Sequence, residues 1–125
     1  MKKILIVDDD IDIINLVENR LKKNNYDVVF ATDGKSGIKK ALDENPDLII
    51  MDVMMPNMYG GEAVKILKTY ESTKNIPILF FTAIALESSL TDLAEINVDG
   101  KFYPAVTKPF DPNRLLSSIK LMIGE

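Results

Sequence analysis

The chain has 125 residues, enough for one domain that buries roughly two thirds of its unfolded surface. Hydrophobic residues make up 46% and charged residues 27%, which excludes a disordered or membrane-embedded chain, and no apolar run approaches the length of a membrane span. The formal net charge of -4, with lysines scattered along the chain, argues against direct binding to nucleic acid or to a membrane.

The N-terminal residues and the cysteine content indicate a cytoplasmic protein. Lys2 and Lys3 precede only the short apolar run 4–7, which is too short for the core of a signal peptide. The chain has no cysteine to form disulfides. We therefore expect a single cytoplasmic domain over residues 1–125, with no output domain after its last helix.

Apolar runs alternate with segments of helical periodicity. The runs that predict strands are residues 4–7, 28–31, 48–51, 78–81 and 102–106. The residues that predict the apolar stripes of five helices are, in chain order, Ile14, Val17 and Leu21; Ile38, Ala41 and Leu42; Ala63, Ile66, Leu67 and Tyr70; Leu90, Leu93 and Ala94; and Leu115, Ile119, Met122 and Ile123. This alternation predicts an α/β fold with a five-stranded parallel sheet, right-handed crossovers and helices on both faces.

Local signals mark several boundaries of these elements. Asn45-Pro46 stops the second helix, and Asp111-Pro112 begins the last one with a capping acid followed by proline. Pro104 interrupts the last predicted strand. Since proline cannot donate a ladder hydrogen bond, we expect that strand to lie at an edge of the sheet.

The third apolar run, residues 48–51, lies between Pro46 and Pro56 and ends on Asp52. Its continuous apolar character predicts a strand buried on both faces. An acid at the carboxyl end of such a strand lies where open α/β sheets bind their ligands. Asp52 is thus a candidate for chemistry, with a helix cap or a solvated turn acid as the alternative.

Other polar residues follow the remaining strands at the same edge of the sheet. Asp8 and Asp9 follow the first strand, Thr82 follows the fourth, and Lys108 follows the fifth. Three carboxylates at one edge need a counter-charge, because two of them about 4 Å apart repel by about 4 kcal/mol at an effective dielectric near 20. Mg²⁺ and Lys108 can supply it, and hard oxygen ligands at a partly open site suit Mg²⁺.

Phosphate as the ligand would give each of these residue types a function. Asp52 would be the nucleophile toward a phosphoryl group, and the metal would neutralise the phosphoryl oxygens. Lys108 and the Thr82 hydroxyl would hold the remaining oxygens.

The sequence resembles the receiver domains of bacterial two-component response regulators, including the chemotaxis regulators. The segments that carry the resemblance are residues 4–9, residues 52–58 with Gly60, Thr82-Ala83, and residues 108–110. They extend over the whole chain in the family's order. The resemblance implies a doubly wound, flavodoxin-like fold with strand order 2-1-3-4-5.

By the same resemblance, Asp52 is the phosphoacceptor, and Asp8 and Asp9 hold Mg²⁺. Met54 would add its backbone carbonyl to the metal site, and Thr82 would sense the phosphoryl group. Lys108 would pair with that group, and a cis peptide bond between Lys108 and Pro109 would orient the lysine side chain.

The resemblance also implies a function and partners. The domain would take its phosphoryl group from a sensor histidine kinase or a phosphotransfer protein and act as a signalling switch rather than as an enzyme. It would assist its own phosphorylation and dephosphorylation. A downstream protein would bind the face formed by helix 4, strand 5 and helix 5.

One position departs from the family pattern. Three residues before the lysine, where the family usually has an aromatic residue that acts as a switch, this chain has Ala105. Strand alternation places Tyr103 on the same face. We expect Tyr103 to substitute in part for the missing aromatic residue.

Three alternatives stay open at this point: a phosphatase, a flavin-binding protein and a purely structural role for the aspartates. Asp8 and Asp10 have the spacing of a haloacid dehalogenase-type phosphatase, although that motif has threonine or valine where Asp12 stands. A flavin site is weaker, because the loop after the first strand is acidic where a flavin phosphate needs amides and hydroxyls. The triple aspartate could also cap the first helix, a role we expect for Asp10.

Overall fold

The computed structural model describes residues 1–82, 94–107 and 111–124. Within these ranges the chain forms six strands and four helices. The strands are β1 (Lys3–Val7), β2 (Asp27–Ala31), β3 (Leu48–Asp52), β4 (Ile78–Thr82), β5 (Ala94–Val98) and β6 (Lys101–Thr107). The helices are α1 (Ile11–Lys23), α2 (Gly34–Glu44), α3 (Gly60–Leu67) and α4 (Pro112–Ile123).

All six strands belong to one sheet, in the order β2-β1-β3-β4-β6-β5. The first five strands in that order pair in parallel, and β5 pairs antiparallel with β6 at the edge. The doubly wound α/β prediction is confirmed, with β6 in the place of the fifth predicted strand. The antiparallel edge strand β5 is an addition.

Hydrophobic clusters lie on both faces of the sheet, because alternate residues of each strand point to opposite sides. Leu5 and Val7 belong to the cluster under α2 and α3. Ile4 and Ile6 belong to the cluster under α1 and α4. Every residue of β3 is buried, as predicted for a strand covered on both faces.

The helix starts follow the capping signals in the sequence. The side chains of Asp10, Asp33 and Asp111 each accept a hydrogen bond from a backbone N–H in the first turn of α1, α2 and α4, respectively. Pro112 follows Asp111 at the first helical position, as predicted. Asn45 ends α2 in the left-handed conformation, with φ 45°.

The predicted apolar stripe of the third helix is wrong in two places. Ile66 is 36% exposed, and Tyr70, 45% exposed, lies beyond the last residue of α3. The buried positions of this helix are Gly60, Ala63, Val64 and Leu67. These positions form the i, i+3, i+4, i+7 set that faces the sheet, so Ala63 and Leu67 of the predicted stripe are buried, whereas Ile66 and Tyr70 are not.

The fourth predicted helix is wrong where it can be compared with the structure. Leu90 and Leu93 lie outside the described residues, but Ala94 is the first residue of β5. A two-residue turn at Asp99 (φ 52°) and Gly100 (φ 85°) connects β5 to β6. Asp-Gly with positive φ at both positions is a strong hairpin turn, and it sets the pairing of the two strands.

The edge prediction for the last strand is also wrong, since β6 lies between β4 and β5. The parallel ladder with β4 begins at Ala105, opposite Phe80. Pro104 precedes that ladder and lies opposite Glu95 of the hairpin. The missing N–H of proline therefore costs no bond in the described pairing with β4.

Candidate functional site

The register of two central strands brings Asp8 and Asp52 side by side. β1 and β3 are parallel, and Val7 lies opposite Met51. The residue after each is an aspartate, so both acids reach the carboxyl edge of the sheet. Their side chains are buried, with 1% of Asp8 and 4% of Asp52 exposed. Two buried carboxylates at one edge are costly unless their charge is compensated.

Asp9 completes a cluster of three acids. One carboxylate oxygen of each of Asp8, Asp9 and Asp52 lies within 4.8 Å of the others. Asp9 is exposed, so solvent reaches the cluster on its side. Two negative charges about 5 Å apart repel by about 3 kcal/mol at an effective dielectric near 20. Three hard oxygen donors at a partly open site fit Mg²⁺, which would remove this repulsion.

Backbone amides fix the orientation of the buried acids. The N–H of Asp10 donates to Oδ1 of Asp8 at 2.9 Å, and the N–H of Met54 lies 3.4 Å from Oδ1 of Asp52. The side chain of Asp10 accepts from the N–H of Asp12 at 3.0 Å. Asp10 is a helix cap, as expected, and the other two acids of the triple aspartate belong to the cluster.

Thr82 ends the next strand at the same edge. Phe81 lies opposite Asp52 in the ladder between β3 and β4, which places Thr82 one residue beyond. The Thr82 side chain is buried, with 1% exposed. On its other side Thr82 pairs with Thr107, the last residue of β6. Lys108 follows Thr107 in the sequence, and Lys108 and Pro109 lie outside the described residues.

Gly60 contributes to the site in a way that sequence reasoning missed. Its N–H donates to the carbonyl oxygen of Val53 at 2.9 Å. A Cβ at this position would collide with the backbone carbonyl oxygen of Asp52. Glycine thus lets α3 begin directly against the carbonyl of the candidate acceptor. The available signal was the pair of consecutive glycines, Gly60 and Gly61, just before the third predicted helical stripe, because glycine permits such close approach.

Tyr103 and Ala105 lie on the same face of β6, as predicted, in the cluster under α3. Tyr103 is 7% exposed, and its ring packs edge-to-face on Phe80 with centroids 5.8 Å apart. The ammonium groups of Lys68 and Lys101 lie 5.8 and 5.2 Å from the centre of that ring. The ring is held between β4 and two cations, which favour its electron-rich faces.

Lys68 also connects the C-terminal end of α3 to the segment before β4. The Lys68 ammonium donates to the carbonyls of Lys74 and Ile76 at 2.8 and 3.2 Å. Burial lowers the pKa of Lys68 below its usual 10.5, and the nearby charge of Lys101 lowers it further. Burial raises the pKa of Tyr103 above 10.0. Tyr103 is therefore neutral at physiological pH.

Comparison with known proteins decides the family. The model of the response regulator receiver domain matches residues 4–120. The chain belongs to the response regulator receiver family. This receiver domain is 38% identical over 122 residues to PhoP of Bacillus subtilis, the alkaline phosphatase synthesis transcriptional regulatory protein. The match covers 98% of this chain and 48% of PhoP, and the chain spans about half the length of the curated relatives it matches.

Two solved structures of similar fold are receiver-type signalling proteins. The chemotaxis protein CheY4 of Vibrio cholerae is 33% identical, with a TM-score of 0.85 and 98% of each chain covered. The receiver domain of the sensor histidine kinase PA1611 of Pseudomonas aeruginosa is 25% identical, with a TM-score of 0.84 and coverage of 99% of this chain and 98% of that one. That domain was solved with a magnesium ion coordinated in its active-site cleft.

No helix in the described part of the receiver domain is long and apolar enough to cross a bilayer.

Proposed function

We propose that this receiver domain is a phosphorylation-dependent signalling switch whose phosphoacceptor is Asp52. The observation that carries the proposal is the cluster of Asp8, Asp9 and Asp52, in which one buried carboxylate ends the central strand β3. Membership of the receiver family and the magnesium site of the PA1611 receiver support it.

In the proposed reaction, an oxygen of Asp52 attacks the phosphorus of a phosphohistidine on a sensor kinase or phosphotransfer protein. The P–N bond breaks, an acyl phosphate forms on Asp52, and the released imidazole takes up a proton. Attack by water on the acyl phosphate later returns the carboxylate and releases phosphate. We propose that the domain assists both steps without acting as an enzyme on other substrates.

The residues of the site would have separate roles in this reaction. Mg²⁺ would be held by Asp8, Asp9, Asp52 and the Met54 carbonyl. When bound, the ion supplies positive charge to the phosphoryl oxygens and to the crowded carboxylates. Thr82, at the end of the neighbouring strand, would donate its hydroxyl hydrogen to a phosphoryl oxygen. The same role for the Lys108 ammonium rests on the family resemblance.

The signal would leave through the side of the sheet that carries β6. We propose that a downstream protein binds a surface that includes β6 and α4, which take the places of strand 5 and helix 5 in the predicted face. Tyr103 would take part of the role of the aromatic residue missing at Ala105. We also propose that the domain acts in the cytoplasm and does not bind nucleic acid directly.

The decisive experiment uses acetyl phosphate and Mg²⁺ with intact-mass measurement. The wild-type domain should gain one phosphoryl group, and Asp52→Asn should gain none, because the amide is not a competent nucleophile. Asp10→Asn is the matched control, since Asp10 caps α1 and should leave labelling intact.

Two results would count against the proposal. Equal labelling of Asp52→Asn would place the acceptor elsewhere, with Asp9 the next residue to replace. Continuous Mg²⁺-dependent turnover of an aryl phosphate, instead of one group per chain, would favour the phosphatase alternative.

A further inference from the structure

The loop after Asp52 is rich in methionine and lines a cavity. Residues 54–59 and Glu62 border this space of about 550 Å³ beside the candidate acceptor. The three methionines among them are Met54, Met55 and Met58. Among these three, Met54 gives a small molecule in solution the freest access to its thioether.

Exposure separates the methionines of the chain clearly. Met54 is 52% exposed, whereas Met51 and Met55 are 0% and 4% exposed. Met58 and Met122 are partly buried, and the terminal Met1 is 89% exposed. The chain has no cysteine, histidine or tryptophan that would compete for an oxidant. Because oxidation of methionine follows access to the sulfur, Met54 is the most accessible target apart from the chain terminus.

Met54 is also connected to the site through its backbone. Its N–H lies 3.4 Å from Oδ1 of Asp52, and the preceding carbonyl, that of Val53, accepts the N–H of Gly60. A change in the packing of the Met54 side chain therefore acts on the segment that orients the Asp52 carboxylate. Met1 has no such connection among the described hydrogen bonds.

From these observations we propose that Met54 is a redox modification site, at which oxidation to methionine sulfoxide slows phosphorylation of Asp52. With hydrogen peroxide as the oxidant, the Met54 sulfur attacks one peroxide oxygen. An S–O bond forms, the O–O bond breaks, and the leaving hydroxide becomes water after proton transfer. The sulfur loses two electrons and the peroxide gains them.

The effect on Asp52 follows from the polarity of the product. The sulfoxide is polar where the thioether is apolar, so it no longer favours the methionine-lined wall of the cavity. Movement of Met54 toward water weakens the contact of its N–H with Asp52. We expect the initial rate of phosphorylation to fall roughly two- to tenfold, the size associated with loss of one hydrogen bond.

The test treats the intact domain with limited hydrogen peroxide, maps sulfoxides by peptide mass spectrometry and then measures the rate of labelling by acetyl phosphate. Sulfoxide should form at Met54 ahead of Met51 and Met55, and the labelling rate should fall as it forms. Methionine sulfoxide reductase with a thiol reductant should restore the rate. Circular dichroism before and after treatment checks that the fold is kept.

Two variants make the test specific, each compared with its own untreated sample. Met54→Leu should lose the sensitivity to peroxide, whatever its starting rate. Met122→Leu, which lies outside the cavity lining, should keep it. Oxidation of Met54 no faster than that of the buried methionines would overturn the proposal, as would an unchanged rate with Met54 fully oxidised or full sensitivity in Met54→Leu.

The effect on labelling rests on the proposed function, whereas the order of oxidation does not. If the untreated domain took no label at all, the proposed function would fail, and the proposed control of phosphorylation would fail with it. If the untreated domain takes label normally but Met54 forms sulfoxide more slowly than the buried methionines, this inference fails and the proposed function does not.

Discussion

Two regions of the sheet differ in how the sequence specifies them. One is the acidic edge, where Asp8, Asp9 and Asp52 meet at the ends of β1 and β3, and the other is the hairpin of β5 and β6. At the acidic edge, two fully apolar runs end on acids, and parallel pairing in register places Asp8 beside Asp52. In the hairpin, the pairing depends on a two-residue turn at Asp99 and Gly100 and on contacts with α3. The first region follows from strand pattern alone, whereas the second depends on turn chemistry and on a neighbouring helix.

The hairpin is attached to α3 by contacts of several kinds. Val98 is buried in the cluster under α3, and the Lys65 ammonium lies 3.1 Å from a carboxylate oxygen of Asp99. Both partners of this ion pair are more than half exposed, so it contributes at most about 1 kcal/mol. Packing of apolar side chains such as Val98 and Tyr103 therefore carries most of the attachment. Since α3 begins against Asp52, the helix physically links the two regions.

The largest effect should come from the carboxylates of the acidic edge. Asp8→Asn and Asp9→Asn should each weaken Mg²⁺ binding by at least about tenfold and slow labelling in parallel, because both acids are proposed to act through the ion. Isothermal titration with Mg²⁺ and intact-mass labelling measure the two effects.

Lys108→Ala should behave differently from the two aspartate variants. It removes a proposed phosphate partner and leaves the three acids in place, so Mg²⁺ should still bind while signalling fails. Loss of Mg²⁺ binding in Lys108→Ala would contradict the division of roles between the acids and the lysine.

The next effect concerns the glycines that begin α3, the link between the two regions. Gly60→Ala should lower the free energy of unfolding by about 2 kcal/mol, because the new Cβ meets the rigid Asp52 carbonyl. Labelling should slow as well, since the strand end must shift.

Gly61→Ala is the matched control in the same helix turn. A Cβ there would meet Val98 at 3.6 Å, an ordinary van der Waals contact. Because alanine favours helix over glycine, this variant should gain about 0.5 to 1 kcal/mol. Urea denaturation measures the free energy of unfolding of both variants. Equal values for Gly60→Ala and Gly61→Ala would contradict the close approach at Gly60.

The smallest effect should appear in the hairpin itself. A beryllium fluoride mimic of the phosphoryl group should change amide hydrogen exchange in residues 94–107 of the wild type. Tyr103→Ala should reduce that change, because the ring packs on Phe80 and links β6 to β4. Tyr103→Phe keeps the ring and should behave like the wild type. If the mimic alters exchange equally in all three proteins, Tyr103 does not transmit the signal.

The differences between the sequence-based predictions and the structure have two physical causes. Ala94 was placed on a helix, although Asp99-Gly100 a few residues later is a hairpin turn signal. Periodicity predicts Ile66 and Tyr70 on a buried stripe, whereas the packing of α3 on the sheet buries Gly60, Ala63, Val64 and Leu67. The edge assignment of β6 failed because the antiparallel partner β5 was not foreseen. Each depended on a neighbour distant in sequence or on an unrecognised turn.

The sequence by itself determined the α/β fold, its five parallel strands and the acids that would meet. Short continuous apolar runs between turn residues are typical of buried strands, and parallel strands present their carboxyl ends at one edge. Tertiary structure alone decided that Gly60 packs against the Asp52 carbonyl and that β5 covers the edge of β6. It also decided that Met54, alone among the methionines near Asp52, is half exposed. Exposure and close backbone contact depend on which elements pack together, and local pattern does not contain that information.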